Sequence, residues 1–174
     1  MKLYVMHTES GKEDKIVCQC KKNIIEPGED VFTPVVERVK RIHGQDLTIW
    51  SNMYEGYVFA ETDDPQDMYL RVRAGLGNCI FGYLHVLRND EYILPLEPEE
   101  EEMLRGLMDD EHRVRMSYGY KTGDEAVITE GPLKNFRGRI VGFNQHRKMA
   151  IIETRILGDR RQIAVGADMM RKEE

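Results

Sequence analysis

The sequence predicts an α+β protein in two parts. An antiparallel sheet packed with helices is expected over residues 1–110, then a linker over 111–120, then a small all-β barrel over 121–174. Three observations predict it. The first part mixes strand-like alternation with helix-like apolar spacing. The C-terminal part is a set of short strands punctuated by Gly and Pro. The charge also changes sign along the chain: residues 1–118 hold fourteen basic and twenty-three acidic side chains, net −9, whereas 119–174 hold eleven and eight, net +3. Opposite signs on two segments suggest two modules with different partners.

Lys2 to His7, around Leu3, Tyr4 and Val5, reads as a first strand. Ser10-Gly11-Lys12-Glu13 has the spacing of a capping box. The helix that follows sets Ile16, Val17, Cys20 and Ile24 on one face and stops at Pro27-Gly28. Val31 to Ile42 and Leu47 to Ser51 read as strands of a hairpin turning at His43-Gly44-Gln45-Asp46, its tip basic through Arg38, Lys40 and Arg41. Tyr54 to Glu61 holds the strongest strand signal. Asp64-Pro65 opens a second helix as N-cap and first helical residue, Gly75-Leu76-Gly77 ends it, and Cys79-Ile80-Phe81 suggests a short strand. Pro98 opens a third helix to about Met108, whose acidic Glu99–Glu102 start suits the helix dipole better than it suits a metal site.

Asp109 to Lys121 is polar, shows no apolar period and reads as the linker. Beyond it, Ala126–Thr129, Arg139–Asn144, Met149–Thr154 and Arg160–Val165 are expected strands. Between the first two of these lies Gly131-Pro132-Leu133-Lys134-Asn135-Phe136-Arg137-Gly138. Gly131 before a proline is biased to extended backbone, and Gly138 is expected at positive φ where the loop closes.

Composition excludes several classes. No apolar run approaches a membrane span, and Met1 to Gly11 lacks the features of a secretory signal, so a cytoplasmic protein without membrane contact is expected. Three cysteines, Cys18, Cys20 and Cys79, do not make a disulfide scaffold or a convincing zinc set. No phosphate loop, HExxH or Gly-x-Ser-x-Gly element is present. No enzyme, catalytic residue, metal or cofactor is expected.

The strand–Gly-Pro-x(5)-Gly–strand run resembles the KOW motif of small RNA- and protein-binding barrels. The whole chain resembles the NusG family. Leu3-Tyr4-Val5 stands where the family has a Trp-Tyr-Val-like strand, and Ser10-Gly11-x-Glu13 where it has a turn with Gly and Glu. Tyr54-Glu55-Gly56-Tyr57-Val58-Phe59 stands at the Phe-Pro-Gly-Tyr-Val-like strand. Gly131-Pro132, Phe136, Gly138 and Arg155-Ile156-Leu157-Gly158 with Arg160 match the KOW end. Leu3 and Glu55 depart from the usual Trp and Pro, the hairpin loop is short, and the C-terminal module is rich in arginine. These departures resemble a specialised, operon-specific antitermination paralogue, most like the LoaP group.

The resemblance implies an NGN-like domain that grips the clamp helices of RNA polymerase through an aromatic patch. That patch would comprise His7, Tyr54, Tyr57 and Phe59, with Tyr54 and His7 the stronger candidates near strand ends. Tyr57 and Phe59, two apart on a strand, share one face and equally suit a core. Tyr69, Arg71 and Arg73 are weaker candidates for a nucleic-acid edge that would meet the non-template DNA strand. In the KOW module Lys134, Arg137, Arg139, His146, Arg147, Lys148, Arg155, Arg160 and Arg161 face only Glu153 and Asp159 over residues 134–161. Guanidinium forks suit phosphates and unpaired bases, so this density suits RNA, such as a structured leader element. A ribosomal protein or a termination factor is a further expected partner, and the chain is expected to be a monomer. The alternatives are a general elongation factor and a KOW-containing ribosome-associated protein; the acidic first 118 residues disfavour the latter.

Overall fold

The computed structural model describes residues 1–76, 95–122 and 125–171. The fold is α+β and divides into two compact units: Met1–Thr33 with Tyr54–Glu97, and Pro34–Met53 with Pro98–Glu174. The expected strand at Cys79–Phe81, Gly77 after the second helix, and Gly123-Asp124 lie outside the described residues.

In the first unit β1 (Lys2–His7), β2 (Asp30–Phe32) and β5 (Tyr57–Thr62) form an antiparallel sheet in the order β1-β5-β2. Val5 lies opposite Phe59, and Phe59 opposite Phe32. The two-residue period sends Tyr4, Met6, Val31, Val58 and Ala60 to one face, where they pack with α1 (Glu13–Asn23) and α2 (Pro65–Leu76) through Ile16, Cys20, Ile24, Met68 and Val72. Leu3, Val5, Phe32 and Phe59 share the opposite face and are buried too. Burial on both faces explains the unbroken apolar runs in these strands. Burial also pushes the Cys20 thiol up to about 11, as expected of a core residue.

The expected long strand Val31–Ile42 is broken. Pro34 has no N–H and restricts Thr33, and β3 begins at Val35 on the other side of that break. β3 (Val35–Ile42) and β4 (Gln45–Asn52) form the hairpin, closed by His43 and Gly44 at φ 49° and 81° as a two-residue turn of the I′ kind. This hairpin belongs to the second unit rather than to the first sheet.

The stretch 111–120, expected as a linker, contains β6 (Arg113–Val114) and opens β7 (Ser117–Thr122). β6 runs parallel to β3. Val114, Met116 and Ser117 are buried, so the alternating Val114-x-Met116 was an apolar signal that the surrounding charge obscured. β7, β8 (Glu125–Glu130), β9 (Arg139–Asn144), β10 (Met149–Ile156) and β11 (Asp159–Arg171) form a five-stranded sheet, ordered β8-β7-β11-β10-β9. β11 is long enough to pair antiparallel with β10 through its first half and parallel with β7 through its second.

α3 (Pro98–Leu107) carries the acidic run. Its Glu100 is buried and accepts hydrogen bonds from the Leu157 and Gly158 amides at 3.2 and 2.9 Å. One member of that run is therefore a turn anchor rather than a solvated, dipole-favoured charge. Among the described residues no helix is long and apolar enough to cross a membrane.

Candidate functional site

All four aromatic candidates converge at one end of the first sheet. β1 and β5 pair His7 with Tyr57, bringing their rings to 4.2 Å. Tyr54 lies 6.4 Å from Tyr57 and 5.8 Å from Phe59, and Phe59 stacks on Phe32 at 5.9 Å. Phe32 was missed in the sequence, because the apolar pattern gave no sign that β2 would lie beside β5. His7 and Tyr57 are half-buried, while Tyr54 and Phe59 are 5% and 0% exposed. Tyr57 therefore replaces Tyr54 as the accessible partner of His7, because Tyr54 sits in the turn before β5 with its ring turned against Phe59.

That turn is held by a carboxylate. The Gly56 N–H donates to Glu13 Oε1 at 2.6 Å, the Gly11 N–H to Glu13 Oε2 at 2.7 Å, and the Thr8 N–H to the Gly56 carbonyl at 2.8 Å. The expected capping box does not form. Lys12 occupies the N-cap without a side-chain capping hydrogen bond, its ammonium pairing instead with Glu9, and Glu13 accepts from the Gly11 amide rather than that of Ser10.

Arg71 is not an available nucleic-acid contact. Its guanidinium bonds both Glu29 oxygens at 2.9 Å, Asp67 at 2.7 Å and the Ile24 carbonyl. Tyr69 packs partly buried against the core, and Arg73 is exposed.

The nine basic candidates of the second unit do not form one patch. Directly opposed residues of antiparallel strands point to the same side. Arg155 faces Arg160, and Arg139 faces Glu153, on the outer side of β9-β10-β11. Lys134 and Arg137 precede Arg139 in the loop at this end, and all five cations are exposed. His146, Arg147 and Lys148 occupy the β9–β10 turn at the other end of β10, roughly 20 Å away at strand rise. Arg161 lies opposite Thr154 on the other side of the ladder. Lys148 is held by Asp168 at 3.1 Å and Asp46 at 3.3 Å, and these hydrogen bonds, Asp168 first, raise its pKa. It serves the structure rather than offering an open charge. Arg160 lies 3.8 Å from Glu153, and among the described residues Arg137, Arg139 and Arg155 make no ion pair.

The Gly131–Gly138 loop differs from expectation at both glycines. Gly131 is at φ 88°, a region closed to side chains, rather than ordinary extended backbone. A Cβ there would meet the Met116 carbonyl oxygen and Ser117 Cα at 2.6 Å. Pro132 then starts a short 3₁₀ turn (Pro132–Asn135). Gly138 is not at positive φ; it leaves room for the Phe136 ring, which would lie 2.3 Å from an added Cβ. Among the described residues no group of three His, Cys, Asp or Glu side chains is placed to hold a metal ion; Cys79 lies outside them.

The family model described as transcription termination factor nusG matches residues 1–105, more than half of the chain. The chain belongs to the NusG family. It is a NusG-type transcription termination/antitermination factor. The chain is 26% identical to the transcription termination/antitermination protein NusG of Halalkalibacterium halodurans over 89% of each chain. It is 27% identical to that of Bacillus subtilis over 79% of this chain and 78% of the relative. The NusG of Rickettsia felis is 22% identical over 98% and 90%. A solved chain of Thermotoga maritima NusG aligns over 96% of this chain and 93% of its own, at 20% identity and a TM-score of 0.48.

The exposed aromatic Trp50 carried no clear signal in the sequence. Trp50, on β4, is 40% exposed and has the Arg113 and Arg115 guanidinium carbons 5.3 and 5.1 Å from its ring centroid. Arg115 is in turn paired with Asp109 at 2.8 Å. The signal lay in two arginines flanking Val114, which only the pairing of β6 with β3 brings to Trp50.

Proposed function

We propose that this member of the NusG family is an operon-specific elongation and processive antitermination factor of the LoaP kind. It binds RNA polymerase through its first unit and RNA through the outer face of its C-terminal strands, suppressing pausing and termination. The observation that carries the reading is the convergence of His7, Tyr54, Tyr57 and Phe59 at one sheet end, with the accessible rings of His7 and Tyr57 in contact at 4.2 Å. Rings with polar tips bury large area at an interface and keep a hydrogen bond. The exposed Arg139, Arg155 and Arg160 support RNA as the second partner. The mechanism is binding energy that favours the closed clamp of the polymerase, a population shift without bond chemistry.

The test is binding of the full chain to purified bacterial RNA polymerase, with His7→Ala/Tyr57→Ala as the comparison, followed by transcription through a terminator with and without the RNA leader. Binding lost in the double variant and readthrough that depends on the leader are expected. Equal affinity of the variant refutes the aromatic contact, and readthrough indifferent to the leader refutes operon specificity.

A further inference from the structure

We infer that Glu13 is a positioning residue for polymerase recognition, setting the Tyr54–Tyr57 turn from the first turn of α1. The inference rests on the polymerase-binding reading above and adds to it a residue that touches no partner. Glu13 is 1% exposed, and both of its oxygens bond backbone amides: Oε1 takes the Gly56 N–H at 2.6 Å and Oε2 the Gly11 N–H at 2.7 Å. No basic side chain is its hydrogen-bond partner among the described residues.

A buried carboxylate spent on two amides fixes backbone. Gly56 is fixed at both ends, since its carbonyl accepts from Thr8 while its N–H donates to Glu13. Tyr54 and Tyr57 flank it, and the turn closes with the Tyr57 N–H on the Tyr54 carbonyl at 3.4 Å, a long hydrogen bond unsuited to holding the turn alone. The two clamps on Gly56 therefore set where Tyr57 enters β5, and so where its ring meets His7. Ionised, Glu13 has acceptors for both amides; a glutamine offers one acceptor and turns an NH₂ donor toward the other N–H. Losing one clamp lets the turn sample other conformations, and apparent affinity falls by the fraction no longer competent.

The experiment is a double-mutant cycle on the full chain: wild type, Glu13→Gln, Tyr57→Ala and both, read as polymerase affinity, with amide exchange at Gly56 measured without polymerase. Glu13→Gln is expected to speed exchange at Gly56 and to weaken polymerase binding about three- to tenfold. In the Tyr57→Ala background it should weaken binding no further, a non-additivity that general destabilisation would not produce. If Glu13→Gln lowers the folded fraction, Glu13→Asp, which keeps the charge and shortens the reach, is read in the same cycle. Additive losses, or unchanged Gly56 exchange, overturn the positioning role while leaving the aromatic contact standing. A wild-type chain that does not bind polymerase overturns both.

Discussion

The Arg71 guanidinium bridges both carboxylate oxygens of Glu29 at 2.9 Å, tying α2 to the approach of β2 across 42 residues of chain. A third arm reaches Asp67, and the Thr62 hydroxyl donates to Glu29 at 2.6 Å. Burial works to raise the Glu29 carboxyl, but hydrogen bonds from Arg71, the Glu26 amide and Thr62, with the Arg71 charge, outweigh it and hold the pKa below its usual value. Arg71, a weaker nucleic-acid-edge candidate in the sequence, is thereby a structural tie.

The sign of the pH effect follows. A carboxyl depressed in the folded state contributes stability that is present above its unfolded pKa and lost as pH falls through the folded one. Stability of the first unit should therefore decline from about pH 4 downward, near the usual glutamate value. In Glu29→Gln this part of the acid dependence should vanish. Arg71→Ala should destabilise by about 2–4 kcal/mol, because it leaves a nearly buried carboxylate without its counter-charge. Denaturant unfolding at pH 7 and at pH 3 checks both; equal pH dependence in wild type and Glu29→Gln would remove the argument.

Glu100 should anchor the β10–β11 turn. Leu157 and Gly158 hold φ of 54° and 84°, and Glu100 satisfies both of their amides. Glu100→Ala is expected to destabilise by about 1–2 kcal/mol and to speed amide exchange at Gly158. Exchange unchanged at Gly158 would mean that water satisfies these amides equally well.

Gly131→Ala should be among the most damaging single-methyl changes in the second unit. It combines a left-handed φ with a clash against backbone of Met116 and Ser117 that no side-chain movement relieves. A loss of about 2–4 kcal/mol is expected. The atoms nearest a Cβ added at Gly138 belong to the Phe136 ring, a side chain rather than backbone, so Gly138→Ala should cost less. Thermal unfolding of the pair gives the order, and a reversed order would contradict the close-approach argument.

Arg155 and Arg160 face each other on the outer side of the ladder, so their contribution to RNA binding should show in salt dependence. If each contacts one phosphate of a single strand, the double alanine variant should lower the slope of log affinity against log salt by about 1.4. Lys148→Ala, in contrast, should act mainly on stability, because its ammonium is held by Asp168 and Asp46. An unchanged slope in the arginine variant would move the RNA surface elsewhere.

Much of this was legible in local pattern. The Asp64-Pro65 helix start is real, with the Asp67 amide donating to the Asp64 side chain at 3.0 Å. The His43-Gly44 hairpin and the strand Arg139–Asn144 fall where expected. The aromatic residues picked from the family pattern do meet, since strand period alone puts Tyr57 and Phe59 on one face. Less legible were the partners of charged side chains. Arg71, Lys148, Glu13 and Glu100 all read as surface or cap residues, and each is committed to a partner between 20 and more than 50 residues away or to a backbone amide.

By itself the sequence determined the α+β class, the helices and most strands, the Gly131-Pro132 turn, and the residue types of an aromatic patch and a basic module. These depend on period, caps and turn chemistry, which act over a few residues. Only the tertiary structure decided that the hairpin and the 111–120 stretch build the second unit, that Phe32 joins the aromatic cluster, and that Glu13 holds the Gly56 turn. Strand partners and the mates of buried charges are chosen by contacts between distant segments, and no local pattern encodes that choice.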